Sequence, residues 1–311
     1  MITTVTLNAS IDKAYTVNGK MKNGTVMRVA ACRNSAGGKG LNVARIIKLC
    51  GAEVKATGFV GGYNGKYLEH LLDEDQIAHD FTEVQGETRS CINILNEEFK
   101  STEYLEPGCR VEPEEEKLFL EHFPQLIAGS SVVTISGSIP EGIQQDIYGK
   151  LIQIADSMSI PVILDTSGEL LKNGLKHKPA MVKPNRDELE ILLNKKIEDS
   201  RDILEAAEEL QRSGIRYVVI SLGGDGAVMV CDEGVFRTQA PKLEAVNTVG
   251  CGDSMVGAFA VAMEKGMKPE EMLKFASAVA SANAMSPHTG DFDPAVFHRL
   301  FAEIIVEKAA I

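Results

Sequence analysis

The chain has 311 residues, of which 44% are hydrophobic and 24% charged, with a net charge of −12. That balance suits a globular chain and excludes general nucleic-acid binding, which needs a basic footprint. No apolar run approaches the roughly 20 residues of a membrane span, and no basic stretch followed by an apolar one opens the sequence, so neither membrane insertion nor a signal peptide is expected.

In chain order, β-rich runs at 2–7, 54–60, 131–136, 161–165, 179–183 and 216–221 alternate with helical stretches at 41–50, 64–73, 113–123, 144–157, 185–194 and 200–213. Strands separated by helices of this length imply right-handed crossovers and a mainly parallel sheet. The strands are near-continuous apolar runs, as expected when helices cover both sheet faces. Residues 12–34 and 88–105 break the rhythm. They carry turn signals and alternation, the second reading as a hairpin around Asn96–Lys100, and are expected to form a small antiparallel lid over one end of the sheet. After residue 226 come a second hairpin, AVMVCDEGVFRTQ, and helices at 252–264, 269–284 and 294–308. No repeat or linker appears, so residues 1–311 are expected to form one domain with an inserted lid. The six cysteines are scattered, without CxxC or zinc spacing, which fits free thiols in a reducing cytoplasm.

Four glycine-rich or capping motifs carry chemistry. AGGKGLNVARI (36–46) sets glycines and Lys39 just before a helix, where backbone amides and an ammonium group can face an anion. It is not a Walker A loop, since Gly40 rather than Ser or Thr follows Lys39. KPNRDELEIL (183–192) has Asn185 and Glu188 at capping-box spacing; the same pair could hold water around Mg²⁺ while Lys183 faces a phosphate. SLGGDGAVMV (221–230) reads either as a plain hairpin turn or as a close backbone approach to a phosphate chain. In TVGCGDSMVGAF (248–259), the amides of Gly250, Cys251 and Gly252 form an anion hole at a helix start. Asp253 follows in the first turn, as a general base for a hydroxyl or as a simple complement to the helix dipole. Cys251 has no neighbouring His in sequence and reads as a small residue between two glycines.

Taken together and in order, these motifs resemble the PfkB carbohydrate-kinase family of ribokinase-like proteins over essentially the whole chain. AGGKGLNVAR resembles one family signature and TVGCGDSMVGAF the other, with Asn247 in place of the usual Asp and Cys251 in place of the usual Ala. With Asn247 there, the resemblance leaves open whether the chain keeps a monovalent-cation site found in some relatives. TLNASID (6–12), with Ala9 and Ser10 departing from the pattern, GETRSCINI (86–94), SGSIP (136–140) and KPNRDELE (183–190) resemble the sugar-phosphate branch that holds 1-phosphofructokinase and tagatose-6-phosphate kinase.

The resemblance implies a three-layer αβα ribokinase-like fold and an ATP- and Mg²⁺-dependent kinase of a ketohexose monophosphate. Fructose 1-phosphate is the favoured acceptor, with tagatose 6-phosphate or fructose 6-phosphate as alternatives. The sugar is expected under the lid against Asp12, Gly38, Lys39 and Asn42, with Arg28, Lys39 and Arg89 holding its phosphate and Asn93 on the same strand face as Arg89. ATP is expected against Lys183, Asn185, Ser221, Gly223 and Gly226, with Asn283 beside the adenine, and Mg²⁺ is expected through water from Asn185 and Glu188. Asp253 would be the base, and a homodimer through the lid is implied. Two other readings stay open: a non-catalytic sugar- or nucleotide-binding regulator, and a kinase of nucleosides or unphosphorylated sugars.

Overall fold

Strand β1 (Ile2–Thr6) is buried along its whole length. Its residues alternate between two separate cores, Ile2 entering one and Val5 the other. A strand can do this only when both faces of its sheet are covered. The computed structural model describes residues 1–21, 23–96 and 101–309.

After β1 come β2 (Ser10–Val17), β3 (Val29–Gly37), α1 (Lys39–Leu49), β4 (Val54–Gly61), α2 (Gly62–Glu74), β5 (Ala78–His79), β6 (Thr82–Val84), β7 (Arg89–Leu95) and β8 (Ser101–Leu105). The middle of the chain holds α3 (Pro113–Ile127), β9 (Val132–Ser136), α4 (Ile147–Ser157), β10 (Val162–Asp165), α5 (Gly168–Leu175), β11 (Met181–Val182), α6 (Arg186–Leu193), α7 (Ser200–Arg212) and β12 (Tyr217–Ser221). The last part holds β13 (Ala227–Cys231), β14 (Gly234–Thr238), α8 (Cys251–Glu264), α9 (Pro269–Met285), α10 (Pro294–Glu303) and β15 (Val306–Ala309).

Among the described residues the main sheet runs β15-β14-β13-β12-β11-β10-β9-β1-β4-β5, with β6 also on β4. It is parallel from β12 to β5 and antiparallel from β12 to β15. One core packs α1, α2, α8 and α9 on one face; the other packs α3, α4, α6 and α7 on the opposite face. This is the expected three-layer α/β architecture with a mainly parallel central sheet. No helix of the described residues is long and apolar enough to cross a membrane.

A second sheet, ordered β3-β2-β7-β8, is built from the two stretches that broke the rhythm. Strands β2 and β3 begin and end somewhat outside the expected 12–34 bounds, whereas β7 and β8 lie within 88–105. It is not purely antiparallel: β2 pairs β7 in parallel, because the two enter the sheet from the same end of the molecule. Residues 97–100 of the expected hairpin turn lie outside the described residues.

Three other expectations change. The helix expected over 294–308 stops at Glu303, and Val306–Ala309 adds an edge strand to β14, where the Ile304-Ile305-Val306 run favours extended backbone. Helix α5 was not expected from the sequence. The strand over 179–183 is only Met181–Val182, since Pro184 and the Asn185 cap end it.

The start of α1 is seated directly on the end of β1. Gly38 takes φ 103°, a backbone shape that favours glycine. A Cβ on Gly40 would stand 2.2 Å from Thr6 Oγ1 and 2.8 Å from the Val5 carbonyl oxygen. Gly40→Ala must therefore lift α1 from β1, and is expected to cost about 1–3 kcal/mol of stability by urea denaturation.

Candidate active site

In an open parallel sheet, ligands gather beyond the carboxyl ends of the strands. Here β1, β9, β10, β11 and β12 all end on one side, and α1 and α8 both start there. Helix α8 begins where Gly250 adopts a left-handed φ of 82°. A Cβ at Gly250 would also strike Thr289 Cγ2 at 2.6 Å. The turn is held from behind by Asn283, which is fully buried. Its Oδ1 accepts from Ser254 Oγ (2.8 Å) and from the Gly290 amide (3.0 Å), and its Nδ2 donates to the Val249 carbonyl (3.2 Å). Fully buried, Asn283 has no face left for an adenine ring and leaves the nucleotide set; it braces the loop that opens α8 instead. Burial pushes the Cys251 thiol up to about 11, so it stays protonated.

In the first turn of α8 the Cys251 amide donates to the Thr248 carbonyl at 3.4 Å and the Ser254 amide to the Gly250 carbonyl at 2.8 Å, while the Gly252 and Asp253 amides take no backbone partner among the described residues, as is usual at a helix start. Asp253 lies in this turn, 6% exposed, and its Oδ2 accepts from Asn42 Nδ2 at 2.7 Å. Burial pushes the Asp253 carboxyl above its ordinary range; the nearby Lys39 opposes this, and the negative Asp165 adds to it.

Beneath these groups stands an ion triad in which Asp165 and Lys183 are buried and Lys39 is part-exposed. Asp165, at the end of β10, accepts from Lys39 Nζ at 3.2 Å and pairs with Lys183 Nζ at 3.3 Å. Burial alone would raise the Asp165 carboxyl, but Lys183 and Lys39 more than offset it and hold the group below its ordinary range. Asp165 in turn is the main reason the Lys39 ammonium is held above its ordinary range. Lys183 Nζ also lies 3.4 Å from where a Gly252 Cβ would stand, so this charge sits directly against the first turn of α8.

On the far side, Asn185, Ser221 and Gly223 share the wall of a cavity of about 740 Å³, whose rim also carries Arg186, Arg237 and Lys242. Gly223 (φ 57°) opens onto free space. Gly226 is outside that wall: its φ of 93° and the Thr238 carbonyl, 2.1 Å from an added Cβ, make it a requirement of the hairpin. Asn185 and Glu188 form the capping box, Asn185 Oδ1 accepting from the Glu188 amide and Glu188 Oε2 from the Asn185 amide, both at 2.9 Å.

On the lid side, the Asp12 carboxylate lies over Gly37, where an added Cβ would fall 2.0 Å from its Cγ. Ser10 Oγ donates to Asp12 Oδ1 at 2.7 Å. Arg89 donates to the carbonyls of Asn8 (2.9 and 3.2 Å) and Glu106 (2.7 Å). A guanidinium has five N–H donors, so two remain for a ligand. Asn93 pairs with Ala14, about 7 Å further along the lid than Asp12, and accepts from Ser101 Oγ, which occupies its Oδ1 within the sheet. Arg28 is exposed beside Val29, which pairs with Val17, about 17 Å along the lid from Asp12. Arg28 is thus remote from Asp12 along the lid, whereas Asn93 lies nearer to it with its Nδ2 donors uncommitted among the described residues.

A family model described as pfkB family carbohydrate kinase matches residues 5–295. The chain belongs to that family. The fold resembles phosphofructokinase-2 from Escherichia coli, solved in complex with fructose-6-phosphate, at 30% identity and TM-score 0.90, covering 97% of this chain and 98% of that one. It resembles a possible 1-phosphofructokinase from Thermotoga maritima at 27% identity and TM-score 0.90, covering 99% of each chain. It also resembles Arabidopsis thaliana ribokinase, complexed with ribose and ATP, at 23% identity and TM-score 0.77, covering 96% of this chain and 98% of that one. The last likeness bears on the fold, which is ribokinase-like.

Within this carbohydrate kinase, sequence reasoning missed Asp165, Arg45 and the cationic rim of the cavity. Asp165 read as the last residue of a buried strand. The available signal was its position, a carboxylate at the carboxyl end of a core strand. Lys39 was expected at the sugar phosphate, but its pairing with Asp165 turns it toward the floor shared with Asp253 and Glu188.

The raised carboxyl of Asp253 has a thermodynamic sign. Its folded pKa exceeds the unfolded value of about 3.9, so the native state loses stability as pH rises from there toward the folded pKa. Asp253→Asn keeps an acceptor for Asn42 and removes that burden. It is expected to raise stability at neutral pH by about 1 kcal/mol, read by urea denaturation, with a gain that shrinks as pH falls toward 4.

Proposed function

We propose that this carbohydrate kinase transfers the γ-phosphoryl group of ATP to a ketohexose monophosphate, with fructose 1-phosphate as acceptor and fructose 1,6-bisphosphate as product. The observation that carries the reading is a buried carboxylate, Asp253, in the first turn of α8, above a lysine-flanked Asp165. That arrangement supplies a base, amide donors and positive charge within one small volume.

In the proposed reaction Asp12 and the second amide hydrogen of Asn42 orient the sugar hydroxyl, and Gly38 lets the backbone approach. The hydroxyl gives its proton to Asp253 as its oxygen bonds to the γ-phosphorus. The bond from that phosphorus to the β–γ bridging oxygen breaks, and ADP leaves. Lys39 and Lys183, less the charge of Asp165, leave one net positive charge under the transferring group, and the amides of residues 250–253 face its oxygens. ATP occupies the cavity walled by Asn185, Ser221 and Gly223. The second carboxylate oxygen of Glu188 takes no hydrogen bond among the described residues, which suits water-mediated binding of Mg²⁺. Such an ion, held from Glu188 and Asn185, neutralises phosphate charge when bound. The two spare donors of Arg89 take the sugar's existing phosphate.

A fructofuranose carries CH₂O– groups on both sides of its ring oxygen, so one pocket can present either end to ATP. The slightly higher identity to the Escherichia coli enzyme supports a second reading, with fructose 6-phosphate as acceptor. ATP consumption measured with fructose 1-phosphate, fructose 6-phosphate, tagatose 6-phosphate, ribose and adenosine tests the reading. Turnover is expected with fructose 1-phosphate above the others, a loss of about 10²–10⁴ in kcat in Asp253→Asn, and in Arg89→Ala a KM rise for the sugar phosphate without one for ATP. Turnover of ribose or adenosine alone would overturn the sugar-phosphate reading, and turnover of none would favour a regulator.

We also propose a homodimer through the second sheet. Strand β8 is exposed along its length, and Tyr104 (56% exposed) and Leu105 (65%) stand on it, so the sheet offers apolar area and an open edge. Light scattering should give twice the 33.6 kDa chain mass at micromolar concentration, and a monomer mass would contradict the pairing.

A further inference from the structure

We propose that Arg45 is a positioning residue that locks the amide of Asn42 and thereby decides which carboxylate oxygen of Asp253 receives the substrate proton. The inference rests on the reading of Asp253 as the base.

Arg45 lies one turn after Asn42 on α1. Its Nη2 donates to Asn42 Oδ1, and its Nη1 donates to the Ala36 carbonyl at the end of β3. Asn42 Nδ2 donates to Asp253 Oδ2 at 2.7 Å. An arginine has only donors and a carboxylate only acceptors, so an amide held between them has a single satisfied orientation. Turned over, the amide would set its oxygen against a carboxylate oxygen and its NH₂ against a guanidinium. Gly290 closes the arrangement from outside: an added Cβ there would lie 3.3 Å from both Arg45 Nε and Asn42 Cα.

Two consequences follow for the base. Oδ2 is already engaged by Asn42, which leaves Oδ1 as the oxygen for the sugar hydroxyl. The link is also anchored to β3, because the same guanidinium holds Ala36, just before the Gly37 that underlies Asp12. The charged groups around Asp253 are Lys39 from the start of α1, Asp165 from the end of β10, Lys183 from the end of β11, and Arg45 itself. Around Arg45 stand Asp75, Asp12 and Arg33. None of these replaces the hydrogen bond from Arg45 to Asn42.

The test is steady-state kinetics of Arg45→Met and Arg45→Lys across pH, with the sugar phosphate that the wild type turns over. Arg45→Met is expected to lower kcat about ten- to a hundredfold while the KM values for sugar phosphate and ATP stay within about threefold. Its acidic limb of kcat should move to higher pH, because a carboxylate facing an amide oxygen holds its proton longer. Added methylguanidinium should restore part of the rate. Arg45→Lys, which keeps the charge but can serve only one of the two acceptors well, should fall between, and it carries the test if Arg45→Met does not fold. An unmoved acidic limb in a folded variant, or a loss confined to KM, would overturn the inference. Asp253→Asn measured alongside separates the two ideas. If it keeps kcat, the base assignment fails; if it loses kcat while the Arg45 variants leave the limb in place, only the role of Arg45 fails.

Discussion

A buried carboxylate, Asp165, held between the buried Lys183 and the part-exposed Lys39, is the constraint on which the rest of this site depends. Asp165 is 2% exposed and Lys183 4%. Neither charge could stay there alone, since removing one partner from a buried pair costs about 3–5 kcal/mol. The triad therefore fixes three separate elements to one another: the end of β10, the end of β11 and the first turn of α1. It holds Lys183 against the loop that opens α8, so positive charge is in place there before any ligand arrives. Such preorganisation counts for more in a water-poor site than the same charges would in solution.

The second carboxylate, Asp253, is placed by the opposite logic. Among the described residues no ammonium group is bonded to it, and its one side-chain hydrogen bond comes from a neutral amide. Burial then works against its charge. The two acids lie close together, yet one is held ionised by direct lysine contacts and the other is pushed toward its proton. Environments that divide two like groups in this way are how acid–base roles are assigned in many sites. Asp253, the proposed base, is thus a locally unfavourable residue beside a strongly favourable neighbour.

Much of this was legible in the sequence, and the limits are instructive. The layered α/β fold follows from apolar runs of strand length between amphipathic stretches. The capping box at Asn185 and Glu188 is a local pattern, and local patterns survive folding. Glycines flanking Cys251 marked the start of α8 because their spacing is a property of that turn. What could not be read were contacts set by topology. Asn42 and Asp253 are 211 residues apart, and Lys39 and Asp165 are 126 apart. Asp165 looked like an ordinary strand end until β10 was placed beside β9 and β11. Arg28 and Asn93 were chosen for their charge and strand parity, which say nothing about distance along the lid. Asn283 was chosen for its helix, but its amide faces inward to the loop of residues 249–254.

The manner in which the second sheet is spliced into the chain carries one more consequence. Strands β2 and β3 lie wholly between the end of β1 and the start of α1, and β7 and β8 lie between β6 and α3. Both are excursions from loops at the same rim, and none of their residues takes part in the register of the main sheet. Asp12 and Arg89, two of the residues proposed to hold the sugar, are borne on these two outgrowths, whereas Asp253, Lys39, Lys183 and Asn42 stand on the main α/β layers. Selection for a new acceptor can therefore reshape the outgrowths, by length, sequence or pairing, while the machinery for transfer is left as it stands.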